Sequence, residues 1–358
     1  MVEQIKNKNN TDDKFQILSL SGGGFLGLYT VSILEKFEER NRGPVAQHFD
    51  LICGTSIGGI IALGLACGAS AKDIRVSFEN HGPDIFRNQP LDDKPWWLKF
   101  LGGYGDIVKS AWEHIPLLKK AKHPADKLRQ AIEEIVTKDR VLGEAIHRVL
   151  VPAVNLTRGS PTVFKTPHCK QFSVDCELKV SDIAMATSAA PTIFPLAEIG
   201  DSLYADGGLF ANSPDALGCH EATQFLGISE ENIHCLSIGT TMQKFSFGHK
   251  TGINLGIVDW ATNQRLLQAM LSSQQQSVDF MMQHRLGDRY QRIDRFPSPE
   301  QSTEIGLDKA SPNAIRNLKG LGAEDFKTAV GNPKIMEFFN HTAPDPTFYH
   351  GPNAKKDK

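Results

Sequence analysis

The chain has 358 residues, 40% hydrophobic and 22% charged, which is the composition of a folded globular protein and excludes a disordered, collagen-like or repeat chain. Its 39 basic and 41 acidic residues leave a formal charge of −2, so no whole-chain field recruits DNA, RNA or an acidic membrane, and any such contact is local. Six cysteines without a C-x-x-C pair argue against a zinc ribbon or disulfide framework, and the polar start MVEQIKNKNNTDDK lacks the apolar stretch of a secretory signal, so the cytoplasm is the expected location.

Residues 1–14 read as a polar tail. Phe15–Leu20 (FQILSL) is a short apolar run ending at Gly22-Gly23-Gly24, the pattern of a buried strand entering a tight turn. From Phe25 the apolar residues Leu28, Val31, Leu34 and Phe37 recur every third position, and Arg40, Arg42 and Gly43-Pro44 close the predicted helix. Phe49–Cys53 is a second buried strand, followed by Gly54 and a small-residue helix to about Cys67. This alternation predicts a parallel sheet with right-handed crossovers. Leu51–Ala71 carries no charge over 21 residues, enough by length to span a bilayer, yet its five glycines, Thr55, Ser56 and Ser70 divide it into strand, turn and helix.

Ser70 and Asp73 predict a capping box opening a further helix, and His81–Pro124 reads as an irregular insertion. Beyond it come a helix at Ala125–Lys138, strands at Arg148–Leu156 and Thr162–Lys165, and a helix at Val180–Ala190 stopped by Pro191. Leu203–Ala205 is a short strand before Asp206-Gly207-Gly208, and Cys235–Gly239 is another buried strand. Asn254–Arg285 is expected to be largely helical and Tyr290–Phe296 an edge strand, with two short helices after Ser311 leading to a polar tail at 341–358. Without an internal repeat or linker, one α/β unit is expected: a core at 15–218, with strand and helices of 219–340 packed on it.

Gly54-Thr55-Ser56-Ile57-Gly58 is a G-x-S-x-G between a predicted strand and helix, where a serine takes a strained turn and flanking glycines let the chain pass close to itself. The bare pattern is weak; its strand–helix context strengthens it, and the following helix directs its positive end at the site. A serine nucleophile needs a base. Asp206 with His220 or His234 has the chain order of a Ser-His-Asp esterase, Asp206 alone is suited to face Ser56 directly, and Asp-Gly-Gly is also simply a turn. Ser21 to Gly27 (SGGGFLG) lets backbone N–H groups converge as an oxyanion hole or phosphate nest. It also satisfies G-x-G-x-x-G, but no acidic residue ends the second strand as a dinucleotide site requires.

In this order, SGGGFLG, GTSIG and ADGG resemble the patatin-like phospholipase family, supported by Phe164-Lys165-Thr166 and Met185–Pro195 (MATSAAPTIFP), over about Phe15–Leu217. The resemblance implies a three-layer fold with a mostly parallel central sheet, a serine nucleophile elbow and a helical C-terminal part. It implies a Ser-Asp dyad acyl hydrolase acting on glycerophospholipids: Ser56 as nucleophile, Asp206 as general base, Gly22, Gly23 and Gly24 as oxyanion hole, Gly54 and Gly58 shaping the elbow, and Gly207 and Gly208 completing the Asp motif. No metal or cofactor is implied. Leu26 departs from the many members that carry Arg or Lys in the glycine loop, which removes the nearby positive charge that a headgroup or phosphate role for that position would use.

The chain also resembles the phospholipase effectors of bacterial antiphage systems that a cyclic dinucleotide such as cyclic GMP-AMP switches on, which implies such an activator, peripheral action at the inner membrane and a homo-oligomer. Trp96, Trp97 and Phe100 lie in the irregular insertion as an interfacial anchor or as caps of the core. His168-Cys169, Cys219-His220 and His234-Cys235 are too scattered for a metal site. The non-catalytic alternative is a silent module binding lipid or nucleotide.

Overall fold

The computed structural model describes residues 14–87, 121–248, 252–256, 259–260 and 265–355. Trp96, Trp97, Phe100 and most of the expected insertion lie outside them.

Strand β1 (Phe15–Leu20) is wholly buried and leads through the glycine loop into helix α1 (Gly27–Asn41). Strand β2 (Leu51–Gly54) passes into α2 (Ile57–Ala66), so the uncharged run is strand, turn and helix. Helix α3 (Ala71–Ile85) opens on Ser70, whose Oγ accepts from the Asp73 N–H at 3.1 Å, and continues through Pro83 into the stretch expected to be irregular. Helix α4 (Asp126–Val136), strands β3 (Val149–Asn155) and β4 (Ser160–Lys165), and α5 (Val180–Ser188) follow. Then come β5 (Ala197–Ile199), β6 (Ser202–Asp206), α6 (Gly208–Ala211), α7 (Asp215–Gln224) and β7 (Ile233–Ile238). The described part closes with α8 (Arg265–Leu286), β8 (Tyr290–Ile293), α9 (Pro299–Glu304), α10 (Pro312–Val330) and α11 (Pro333–Met336).

One sheet runs in the order β5-β6-β3-β2-β1-β7-β8, with β4 also paired to β3. β2, β1, β7 and β8 are parallel, as are β2 and β3, while β4 and β6 run antiparallel to β3. Side chains alternate across β1, so Leu18 and Leu20 pack with α1 and α2, while Phe15 and Ile17 join Cys219 of α7 and Met282 and Leu286 of α8 on the other face. Helices therefore cover both faces, giving the three-layer α/β fold. The strand Ala197–Ile199 has no sequence signal of its own, being three residues long and held by pairing to β6. Of the two short helices expected after Ser311, the first, α10, runs 19 residues, with a buried stripe through Ala314, Leu318 and Leu321. The polar C-terminal segment is tied down: Phe348 is 3% exposed, and the Tyr349 N–H donates to Pro167 O at 2.8 Å. Among the described residues no helix is long and apolar enough to cross a membrane.

Strand β3 explains how distant parts of the sequence meet. β4 pairs along Leu150–Asn155 and takes one edge. A strand has two edges, so β2, at Val149–Leu150, and β6, at Ala153–Asn155, share the other from opposite ends. Between them stands Pro152, which has no N–H to leave unpaired, and whose carbonyl accepts from Thr187 Oγ1 at 2.7 Å. The C-terminal ends of β2 and β6 thus converge on this gap.

Candidate active site

Ser56 stands two residues past the end of β2 and Asp206 ends β6, so the convergence on β3 brings the two side chains together. Ser56 Oγ donates to Asp206 Oδ2 at 2.6 Å, and both residues are buried. The Ser56 backbone has φ 55° and ψ −125°, a strained conformation that turns the side chain out between strand and helix. It is held by the Ser56 N–H donating to Thr187 Oγ1 at 3.0 Å. The turn needs its glycines: a Cβ on Gly54 would lie 2.1 Å from Gly58 O, and one on Gly58 would lie 2.3 Å from Leu20 O. These are backbone atoms that cannot swing aside.

Asp206 is fixed on its other oxygen by the Gly208 N–H, which donates to Oδ1 at 2.7 Å, while a Cβ on Gly207 would meet Pro152 O at 2.2 Å. Burial raises the Asp206 carboxyl to about 6, against the hydrogen bonds from Ser56 and Gly208 that favour the charged form. Such a carboxylate holds a proton more readily than a solvated one and still ionises near neutral pH.

The glycine loop lies beside the pair, but its three N–H groups are not equivalent. The Gly22 N–H donates to Asn212 O at 2.9 Å, so Gly22 leaves the expected trio of oxyanion donors. The Gly23 and Gly24 N–H groups have no acceptor among the described residues, and both glycines line the same cavity as Ser56 and Asp206. Gly24 has φ +55°, and a Cβ there would lie 2.2 Å from Leu307 O. The α2 N-terminus points into this space and adds positive potential.

The cavity encloses about 910 Å³ including its mouth, within the range of small-molecule sites. Apart from Ser56, Asp206, Ser188 and Asn212 its wall is glycine, proline and apolar side chains, including Phe25, Ile60, Phe78, Phe194, Leu271 and Leu307. Such a wall accepts a hydrocarbon chain and excludes water from the polar pair. No histidine is among the described residues lining it. His220 is solvent-exposed on α7 with its ring 5.9 Å from that of Phe225. His234 pairs with Gln16 at the start of β1, four residues and roughly 13 Å of strand from the site beyond Leu20. Burial, with Lys14 and Arg289 nearby, lowers the His234 imidazole to about 4.

Sequence reasoning missed Asn212, which holds the glycine loop, and the aromatic and leucine wall. Asn212 sits in a short turn without periodicity. The wall is gathered from α2, α3, α4 and α8, whose apolar residues are each indistinguishable from ordinary core.

The patatin-like phospholipase family model matches residues 18–215. The chain is 38% identical over 343 residues to a cGAMP-activated phospholipase of Pseudomonas aeruginosa, covering 95% of this chain and 96% of that protein. It is 33% identical over 366 residues to a cGAMP-activated phospholipase of Vibrio cholerae, covering 94% and 96%. A cGAMP-activated phospholipase of Escherichia coli is 32% identical over 356 residues, covering 91% and 93%.

Proposed function

The chain belongs to the patatin-like phospholipase family, and from that premise we propose that it hydrolyses acyl esters of glycerophospholipids with Ser56 as nucleophile and Asp206 as general base. The observation that carries this reading is the 2.6 Å bond between the two side chains in the wall of an apolar cavity.

As Ser56 Oγ attacks the ester carbonyl, its proton passes to Asp206. The Gly23 and Gly24 N–H groups stabilise the tetrahedral oxyanion, each such donor being worth roughly 2.7–4 kcal/mol of barrier. Collapse expels the lysolipid alkoxide, which takes the proton from Asp206 and leaves the acyl group on Ser56. Water then attacks the acyl-enzyme and gives its proton to Asp206. The second collapse releases the fatty acid and returns the proton to Ser56 Oγ. Residues 15–218 form the core that carries both groups, and 219–340 complete it with β7, β8 and the helices around them.

The named relatives that span over nine tenths of the chain are cGAMP-activated. We extend that regulation to this chain: a cyclic dinucleotide switches on hydrolysis at the inner face of the cell's own membrane, from the cytoplasm, in antiphage defence. Fluorophosphonate labelling tests the chemical half. Adduct at Ser56, lost in Ser56→Ala, is the expected result; a folded protein that never labels overturns it. Fatty-acid release from phospholipid vesicles with and without cyclic GMP-AMP tests the regulatory half.

A further inference from the structure

A second cavity lies behind α8, of about 760 Å³ including its mouth, and its chemistry is unlike that of the first. Gln243 and Lys244 on the strand-to-loop side face Gln275, Gln276 and Gln283 on α8, with Phe296 closing one end. Phe296 is 55% exposed, and the Lys244 ammonium stands 4.8 Å over its ring. Lys244 has no ion-pair partner among the described residues. Asp279, also in the wall, is occupied by Arg292 Nε at 3.3 Å and by the Tyr290 hydroxyl at 2.9 Å.

The wall sets four glutamines and Lys244 beside Met242, Phe280 and Phe296, a mixture that suits a ligand with polar edges and a flat apolar face better than an acyl chain. The Gln276 Nε2 donates to Ser272 O and Oγ at 3.1 Å and the Gln243 Nε2 donates to Ser302 Oγ, so these two offer the cavity an amide acceptor, while Gln283, without a hydrogen-bond partner among the described residues, offers the donor and acceptor side by side that pair with a purine edge. A base that displaces the Lys244 ammonium from the exposed Phe296 ring gains that face as a stacking platform, and the ammonium so released suits a phosphate.

The same helix joins this cavity to the candidate active site. Leu267 and Leu271 of α8 line the apolar cavity, while Ser272, Gln275 and Gln276 line the second one. Between them Gln274 holds the turn after Asp206: its Nε2 donates to Leu209 O at 3.0 Å, and its Oε1 accepts from the Asn212 N–H at 3.3 Å. From below, Thr240 Oγ1 donates to Gly22 O at 3.0 Å, and the Thr241 N–H donates to Asp294 Oδ1, whose other oxygen accepts from Gln275 Nε2 at 2.7 Å. The floor of the second cavity and the glycine loop are therefore one hydrogen-bonded unit.

We propose that the cavity walled by Gln243, Lys244, Gln276, Gln283 and Phe296 is the effector site, that it takes a purine-bearing half of a cyclic dinucleotide, and that α8 transmits its occupancy to the Ser56 cavity. The proposal rests on the regulatory half of the reading above. Ligand binding favours the placement of α8 that leaves the acyl cavity open and the Asp206 turn in order, a shift of population that needs a difference in affinity between two placements.

The test uses the full chain and cyclic GMP-AMP. Phe296→Ala, the double variant Gln276→Leu/Gln283→Leu, and Lys244→Ala all change exposed side chains, and thermal melting checks that each is folded. Calorimetry is expected to show affinity for cyclic GMP-AMP weakened about tenfold or more in Phe296→Ala and in the double variant. Gln274→Ala is expected to bind with wild-type affinity and to lose most of the stimulation of fatty-acid release. Wild-type affinity in all three cavity variants overturns the site while leaving the regulatory reading intact. A wild-type chain that binds no cyclic GMP-AMP overturns the site and the regulatory reading together, and Ser56 labelling still reports the hydrolase by itself.

Discussion

Ser56 Oγ and Asp206 Oδ2 lie 2.6 Å apart although the two residues stand 150 positions apart in sequence. Neither strand that carries them pairs with the other. Each pairs with β3, and their meeting follows from the shared edge of that strand.

Replacing the carboxylate removes the proposed base and preserves the shape. Asp206→Asn is expected to lower hydrolysis of a fluorogenic phospholipid by about 10²–10⁴-fold, the usual contribution of a general base. His220→Ala and His234→Ala are expected to keep the wild-type rate. A histidine variant as impaired as Asp206→Asn would restore the Ser-His-Asp alternative.

The buried carboxyl predicts the acid limb of activity. Asp206 ionises at about 6, above the ordinary carboxylate value, so the basic form is lost below that pH. A plot of kcat/KM from pH 4.5 to 8 should break near 6 and fall tenfold per unit below it. Stability follows the opposite sense, because a carboxyl raised in the folded state favours folding only while both states are protonated. This contribution is full below about 4 and is lost as pH rises through 6. At pH 7.5, Asp206→Asn relieves the burial of charge and should match or exceed the wild-type melting temperature, while losing hydrolysis as predicted above.

Alanine in place of a helix glycine ordinarily stabilises by up to about 1 kcal/mol. Gly58→Ala should reverse that sign, since its Cβ would lie 2.3 Å from Leu20 O and 2.7 Å from Ser21 O. A loss of about 1–3 kcal/mol in denaturant unfolding is expected, with activity falling as the elbow is pushed off β1.

Ala131 lines the apolar cavity from α4. Ala131→Phe should fill it where a long chain would lie. The ratio of kcat/KM for a palmitoyl ester to that for a butyryl ester is expected to fall about tenfold or more. An unchanged ratio would remove the acyl chain from this cavity.

Much of this was legible before any coordinates. β1 needed only its apolar run and the glycines after it, and the Ser70–Asp73 cap only its spacing. Ser56 was marked by a turn motif between strand and helix, Asp206 by glycines that free its turn. What stayed hidden depends on contacts made elsewhere. Gly22 and Gly23 look alike in sequence; only the approach of Asn212 distinguishes the committed N–H from the open one. The strand Ala197–Ile199 exists because β6 offers it an edge, and the long face of α10 was obscured by Gly320 and Gly322 within it.

Since β6 arrives so late in the sequence, timing during synthesis has a chemical meaning. A nascent chain that has completed β1, β2 and the elbow holds a serine with no carboxylate to activate it, and the edge of β3 stands empty until residue 206 has left the ribosome and paired. If the two side chains act as proposed, a chain that stops short of residue 206 is expected to release no fatty acid, because the serine is made long before its carboxylate partner.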